Sequence, residues 1–114
     1  MAVIRKRFAS KLFVKLTEID MALPHAVGEG SAVFEAVTTT YRRIHDVCGI
    51  APTVGFTETG RVARTLDAVL IGPFRAERGL TPAEVAVLRE GLDALRAAAT
   101  HDMQSTITET GVAQ

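Results

Sequence analysis

The apolar residues of this 114-residue chain recur three or four apart almost from end to end. That spacing puts them on one stripe of a 3.6-residue helix, not on alternate sides of a strand. Ile4, Phe8, Leu12, Leu16, Ile19 and Leu23 make the first stripe. Pro24 stops it, and 24–30 reads as a loop with Gly28 and Gly30 as turn residues. Ser31 is suited to cap a second helix, striped by Val33, Val37, Tyr41, Ile44, Val47 or Cys48, and Ala51. Thr38, Thr39 and Thr40 are β-branched and weaken it locally, but the spacing on either side keeps it helical. Pro52 falls within this segment and predicts a kink, and Gly55 closes it as a left-handed stop. Phe56 and Thr57 read as a staple residue and an N-cap for a third helix. Val62, Leu66, Val69 and Leu70 are its buried positions, Gly72 and Pro73 end it, and 74–80 is a loop. Thr81-Pro82-Ala83-Glu84 is the clearest local signal. Thr81 caps, Pro82 takes the first helical position and Glu84 completes a capping box. Val85, Leu88, Leu92 and Leu95 follow on one face.

Four amphipathic helices with short connections predict an all-α fold, an antiparallel four-helix bundle. The expected unit is a single domain over 1–103, with 104–114 as a polar, frayed tail. A chain this size can bury about two-thirds of its unfolded surface, enough for one core without staples. It leaves no room for a nucleotide-binding domain beside a substrate domain. One cysteine excludes an internal disulfide. The longest uncharged stretch, 47–57, is far too short to span a membrane.

Thirteen Lys and Arg balance thirteen Asp and Glu, yet the balance is uneven along the chain. Arg5, Lys6, Arg7, Lys11 and Lys15 fall in the first fifteen residues with no acid among them. Lys11 and Lys15 interrupt any signal-peptide apolar core, and a nucleic-acid arm belongs with a basic domain, which this is not. The sequence reading leaves these charges on a solvated helix face, with neither nucleic acid nor membrane as a partner.

Of the three histidines, His25 lies in a loop and His101 near the end of the last helix, both read as solvated. His45 differs. It sits about 80° from the centre of the second helix's apolar stripe, so one side of the imidazole packs and the other meets water. Gly49 follows one turn later, a helix-weakening residue that leaves bare backbone beside the ring, and Arg42 precedes it by one turn.

His45-Asp46-Val47-Cys48-Gly49, followed by Gly55 and Phe56, resembles the histidine phosphotransfer (HPt) domain pattern. That pattern is a His, an apolar residue two later, often a Lys three later, a Gly four later and a second Gly ten later. The match runs over 45–70, where a helix also suits the family. The resemblance implies a phosphorelay carrier on a four-helix bundle, with the phosphoacceptor His on the second helix. His45 would take a phosphoryl group from a receiver-domain aspartyl phosphate and pass it to another receiver Asp. It implies response-regulator receivers and a hybrid histidine kinase as partners, a monomer in the cytoplasm, and no cofactor of its own, the Mg²⁺ residing on the receiver. Neutral imidazole is a competent nucleophile near neutral pH, and phosphoryl transfer needs positioning and charge neutralisation above all.

Arg42, Cys48 and Gly49 would surround the phosphorylated imidazole. Tyr41, Pro52, Arg61 and Arg64 would meet the receiver, whose acidic site favours basic rim charges. Cys48 stands where the family often has Lys, and Arg42 or Arg43 could replace that charge. Asp46 beside His45 resembles the His-acid pair of sensor-kinase dimerisation domains, but their proline comes five residues after the His and here it comes seven after. His45 and Cys48 could ligate a metal only as two of the four ligands a closed zinc site needs. A Cys48–His45 nucleophilic pair conflicts with Cys48 lying on the apolar stripe, where a core cysteine fits. The alternative is a helical adaptor, or a degenerate HPt domain that binds receivers without phosphotransfer.

Overall fold

A computed structural model describes residues 2–112, with side chains for 3–104. Four helices follow one another: α1 Ala2–Ala22, α2 Ser31–Ile50, α3 Thr57–Ala76 and α4 Pro82–Val112. A short 3₁₀ turn, Leu23–His25, carries Pro24 at its start and turns the chain after α1. Among the described residues there is no strand, only one isolated bridge between Val27 and Leu80. Each helix buries most of the stripe the spacing predicts, though Ile4 is exposed at the start of α1 and Val33, Tyr41, Val69 and Val85 are half-buried. Phe8, Leu12, Leu16 and Ile19 of α1 meet Val37, Ile44 and Val47 of α2, Val62, Leu66 and Leu70 of α3, and Leu88, Leu92 and Leu95 of α4 in one core. Full burial of one such side chain is worth about 1.5–3 kcal/mol. α2 packs on α3, α3 on α4, and α1 on both α2 and α4, so the helices close a ring around that core. The result is a rod of 55 × 21 × 20 Å. No described helix is long and apolar enough to cross a membrane.

The connection between α2 and α3 is a wound turn. Pro52 lies in it, past the end of α2, and therefore kinks nothing. Phe56 N–H donates to Ala51 O at 2.8 Å and Gly55 N–H to Pro52 O at 3.2 Å. Gly55 takes a left-handed φ of 84°, as the sequence predicts. Phe56 is fully buried and meets Phe8 edge-on at 4.8 Å. Thr57 is the first helical residue and not the cap. The third N–H of α3 is satisfied from across the molecule instead. Asp102 of α4, buried, accepts from the Thr59 N–H at 2.8 Å and the Thr59 hydroxyl at 2.7 Å. A carboxylate there also complements the helix dipole.

Gly72 and Pro73 do not end α3. Pro73 is buried inside its last turn, and the helix continues to Ala76. The stop is Glu77, left-handed at φ 53°, ψ 44°. Arg78 N–H reaches Pro73 O and Glu77 N–H reaches Phe74 O, a pattern that satisfies the terminal carbonyls. Gly79 is not spent on this stop because it is needed two residues later. A Cβ on Gly79 would collide with the backbone oxygen of Gly28 and lie within 3.1 Å of Ala26 O. There the two loops clasp, with Leu80 N–H donating to Ala26 O at 2.8 Å. α4 opens as predicted: Thr81 N–H donates to Glu84 Oε1 at 2.9 Å and Glu84 N–H to Thr81 Oγ1 at 3.1 Å. Helical backbone continues through 104–112, the segment read as a tail. Residues 113–114 and the side chains of 105–112 lie outside the described residues.

The Arg78 guanidinium, bonded to both Glu84 oxygens, and the Thr81 N–H hold the Glu84 carboxyl at about 2, against an ordinary 4.5. A carboxylate with a lowered pKa stabilises the fold above its unfolded value and ceases to as pH falls through its folded value. The stability gap between wild type and Glu84→Gln is therefore full above about 4.5 and closes toward about 2, as urea titrations at several pH values would show. Thr81→Ala should cost about 1 kcal/mol in the same assay. Gly79→Ala should cost about 1–3 kcal/mol, because the colliding atoms are backbone and cannot move aside cheaply.

Candidate functional site

His45 lies on α2 with its side chain 62% exposed, as its edge position predicts. Its Nδ1 is 3.1 Å from Asp67 Oδ1 on α3. One turn earlier on α2, the Tyr41 ring stacks against the imidazole with centroids 5.4 Å apart and planes 28° apart. Tyr41 stacks in turn on Phe74 of α3 at 4.3 Å, and Phe74 faces Phe34 at 6.2 Å. The row Phe34, Phe74, Tyr41 and His45 is an aromatic ladder in the α2–α3 groove, packed at one end and open to water at the imidazole. The ring is thus supported on one face and hydrogen-bonded at one edge.

That arrangement distinguishes the two ring nitrogens. A carboxylate accepts only, so the contact places the ring proton on Nδ1, donating to Asp67. Nε2 then carries the lone pair, and it has no hydrogen-bond partner among the described residues. Asp67 is the residue the sequence reading missed. Asp46, next to His45 in the chain, is exposed, and no contact joins it to the ring. The acid that meets the imidazole comes from the neighbouring helix, 22 residues on.

Other residues of the region fall into two groups. Cys48 and Gly49 lie one turn after His45 on α2, and Arg64 lies one turn before Asp67 on α3. Cys48 is half-buried against the core. Burial, then the Asp67 charge, push its thiol above the ordinary 9.0, while the Arg64 guanidinium pulls the other way. Cys48 is therefore a neutral thiol at neutral pH, neither nucleophile nor anion. Arg64 projects its charge onto the position next to the imidazole's own turn, where a cation can meet an incoming anion. A Cβ on Gly49 would meet nothing within 4 Å, so the approach beside the ring is open. Arg42 is exposed and has no ion-pair partner among the described residues.

The remaining residues make contacts away from the imidazole. Arg43 turns to α1, pairing with Glu18 at 3.0 Å, and does not supply charge at His45. Arg61 pairs with Glu58 at 2.9 Å on its own helix. Pro52 packs toward Gly60, where an added Cβ would lie 3.2 Å from the proline Cγ. His25 and His101 are exposed. No three His, Cys, Asp or Glu side chains gather to hold a metal among the described residues. No family model, curated protein or solved structure matches this chain.

The Nδ1–Asp67 contact has a direct spectroscopic consequence. In the ¹⁵N spectrum of the imidazole, wild-type His45 should show a protonated Nδ1 and a bare Nε2. Asp67→Ala should move the proton population toward Nε2, and identical spectra for the two proteins would show that Asp67 does not set the tautomer.

Proposed function

We propose that the chain is an HPt-type phosphorelay carrier and that His45 Nε2 is its phosphoacceptor. The observation that carries this reading is the exposed imidazole anchored through Nδ1 by Asp67, which leaves Nε2 unpartnered. The resemblance over 45–70 points to the same histidine. In the forward step Nε2 attacks the phosphorus of a receiver aspartyl phosphate. The N–P bond forms as the acyl O–P bond breaks, and the aspartate leaves as carboxylate. The imidazole acquires positive charge, which Asp67 offsets through Nδ1–H. The reverse step, onto a second receiver, returns the electron pair to Nε2.

The charges around the ring suit this chemistry. Phosphoryl transfer spreads negative charge over the equatorial oxygens, and fixed cations lower its cost. The family's frequent Lys is Cys48 here, a neutral thiol. Arg64 from α3 takes over its charge, and Arg42 stands at the other side of the ring along α2. Receivers dock over His45, with Tyr41, Gly49, Pro52, Arg61 and Arg64 about the contact. The contacts Tyr41 to Phe74, His45 to Asp67 and Pro52 to Gly60 run forward along α2 and backward along α3. This supports the antiparallel bundle that the family uses to present its histidine.

A second reading is a degenerate HPt domain that binds receivers without taking phosphate, favoured by the missing Lys at position 48. Incubation with a ³²P-labelled receiver distinguishes the two. Wild type should acquire acid-labile, base-stable label, and His45→Ala none. Label on His45→Ala would remove His45 from the reaction, and an unlabelled wild type that still binds the receiver would leave the degenerate reading. Arg64→Ala and Arg42→Ala should each slow transfer about tenfold, roughly the loss of one charge-assisted contact, with melting temperatures unchanged.

A further inference from the structure

α1 carries two apolar stripes, and only one faces the core. Phe8, Leu12, Leu16 and Ile19 are buried. On the opposite side Val3, Val14 and Met21 share the helical phase set by spacings of eleven and seven, and they are 65%, 60% and 70% exposed. Of the eight large apolar side chains exposed among the described residues, five are on α1. Lys6 borders this crest on one side, and Arg7 and Lys11 on the other. These three cations are exposed, and no ion pair holds them among the described residues. By contrast, the acids at the far end of α1 are engaged, Glu18 with Arg43 and Asp20 with Arg96. Arg7, Lys11 and Lys15 stand four apart, a row of like charges that weakens a helix in isolation. A hollow of about 270 Å³ opens toward α2 among Ile4, Arg7, Lys11 and Ile50, and a second runs from Met103 of α4 past Phe13 and Lys6 onto the crest at Val3, Arg7 and Lys11.

We infer that the outer face of α1 docks on an anionic lipid surface, with the rod lying along the bilayer. Three features select a membrane over a protein partner. The apolar residues form a convex crest, which a flat surface meets and a partner helix, needing a groove, does not. Cations border the crest on both sides, the pattern of a helix lying at an anionic interface. A second copy laid parallel along this face would bring the same unpaired cations against one another. The orientation is also compatible with an accessible His45. α1 neighbours α2 and α4, so α3 is diagonal to it, and the α2–α3 groove that holds His45 stays off the surface. The inference is independent of the chemistry at His45.

Co-sedimentation of the full chain with vesicles tests it. The protein should partition to phosphatidylcholine vesicles containing phosphatidylserine and not to phosphatidylcholine alone, and added salt should release it. The Lys6→Gln/Lys11→Gln double variant should lose about 25-fold in partitioning, about fivefold per charge near an anionic surface. Both side chains are exposed and unpaired, so the variant's helical circular dichroism should match wild type. Val14→Ser, at the crest, should weaken binding without touching the charge. Equal binding to neutral and anionic vesicles, no binding to the anionic ones, or an unaffected double variant would overturn the assignment. So would a dimer in sedimentation equilibrium that the double variant abolishes, which would give this face to a second copy.

Discussion

The register between α2 and α3 is the constraint on which the site depends, and the turn at 51–56 sets it. The turn is pinned from below by Phe56, fully buried against Phe8, and from above by Arg5, whose Nε donates to Val54 O at 3.0 Å. Gly60 lets Pro52 pack closely on the start of α3. With that end fixed, each later turn of α3 meets an earlier turn of α2. A shift of one residue in the turn would rotate Asp67 by about 100° around its helix and part it from the imidazole.

Much of the fold was legible because helix burial repeats on a short period. The stripes of α1, α3 and α4 needed only spacing, and the capping box at Thr81 and Glu84 is a local exchange of two hydrogen bonds that the sequence alone encodes. The exposure of His45 followed from its angle to the stripe. What escaped was set across space. Pro73 reads as a stop, yet in the last turn of a helix its ring packs into the core and the chain continues. Glu77 carries no mark of a left-handed stop, and the glycine two residues on is taken up by its close approach to the loop at 26–30. Asp102 and Asp67 act on residues 43 and 22 positions away, distances at which a helical pattern gives no register.

The site is correspondingly a composite. Its imidazole comes from α2, the carboxylate that meets it and a neighbouring guanidinium from α3, and its packing from aromatic rings of both. Such a division lets a small domain place charge around an imidazole without building a cavity. A guanidinium borne on α3 reaches the same neighbourhood, while Cys48 remains part of the apolar packing.

The aromatic ladder carries one more consequence. The chain has a single tyrosine and no tryptophan, and that tyrosine is Tyr41, stacked on the imidazole. Nearly all of the protein's long-wavelength ultraviolet emission therefore originates one ring away from the His45 imidazole. Charge arriving on His45, whether a proton or a phosphoryl group, perturbs the only fluorophore directly. The domain therefore reports on the charge state of its imidazole with no label attached, and its five phenylalanines add little at tyrosine wavelengths.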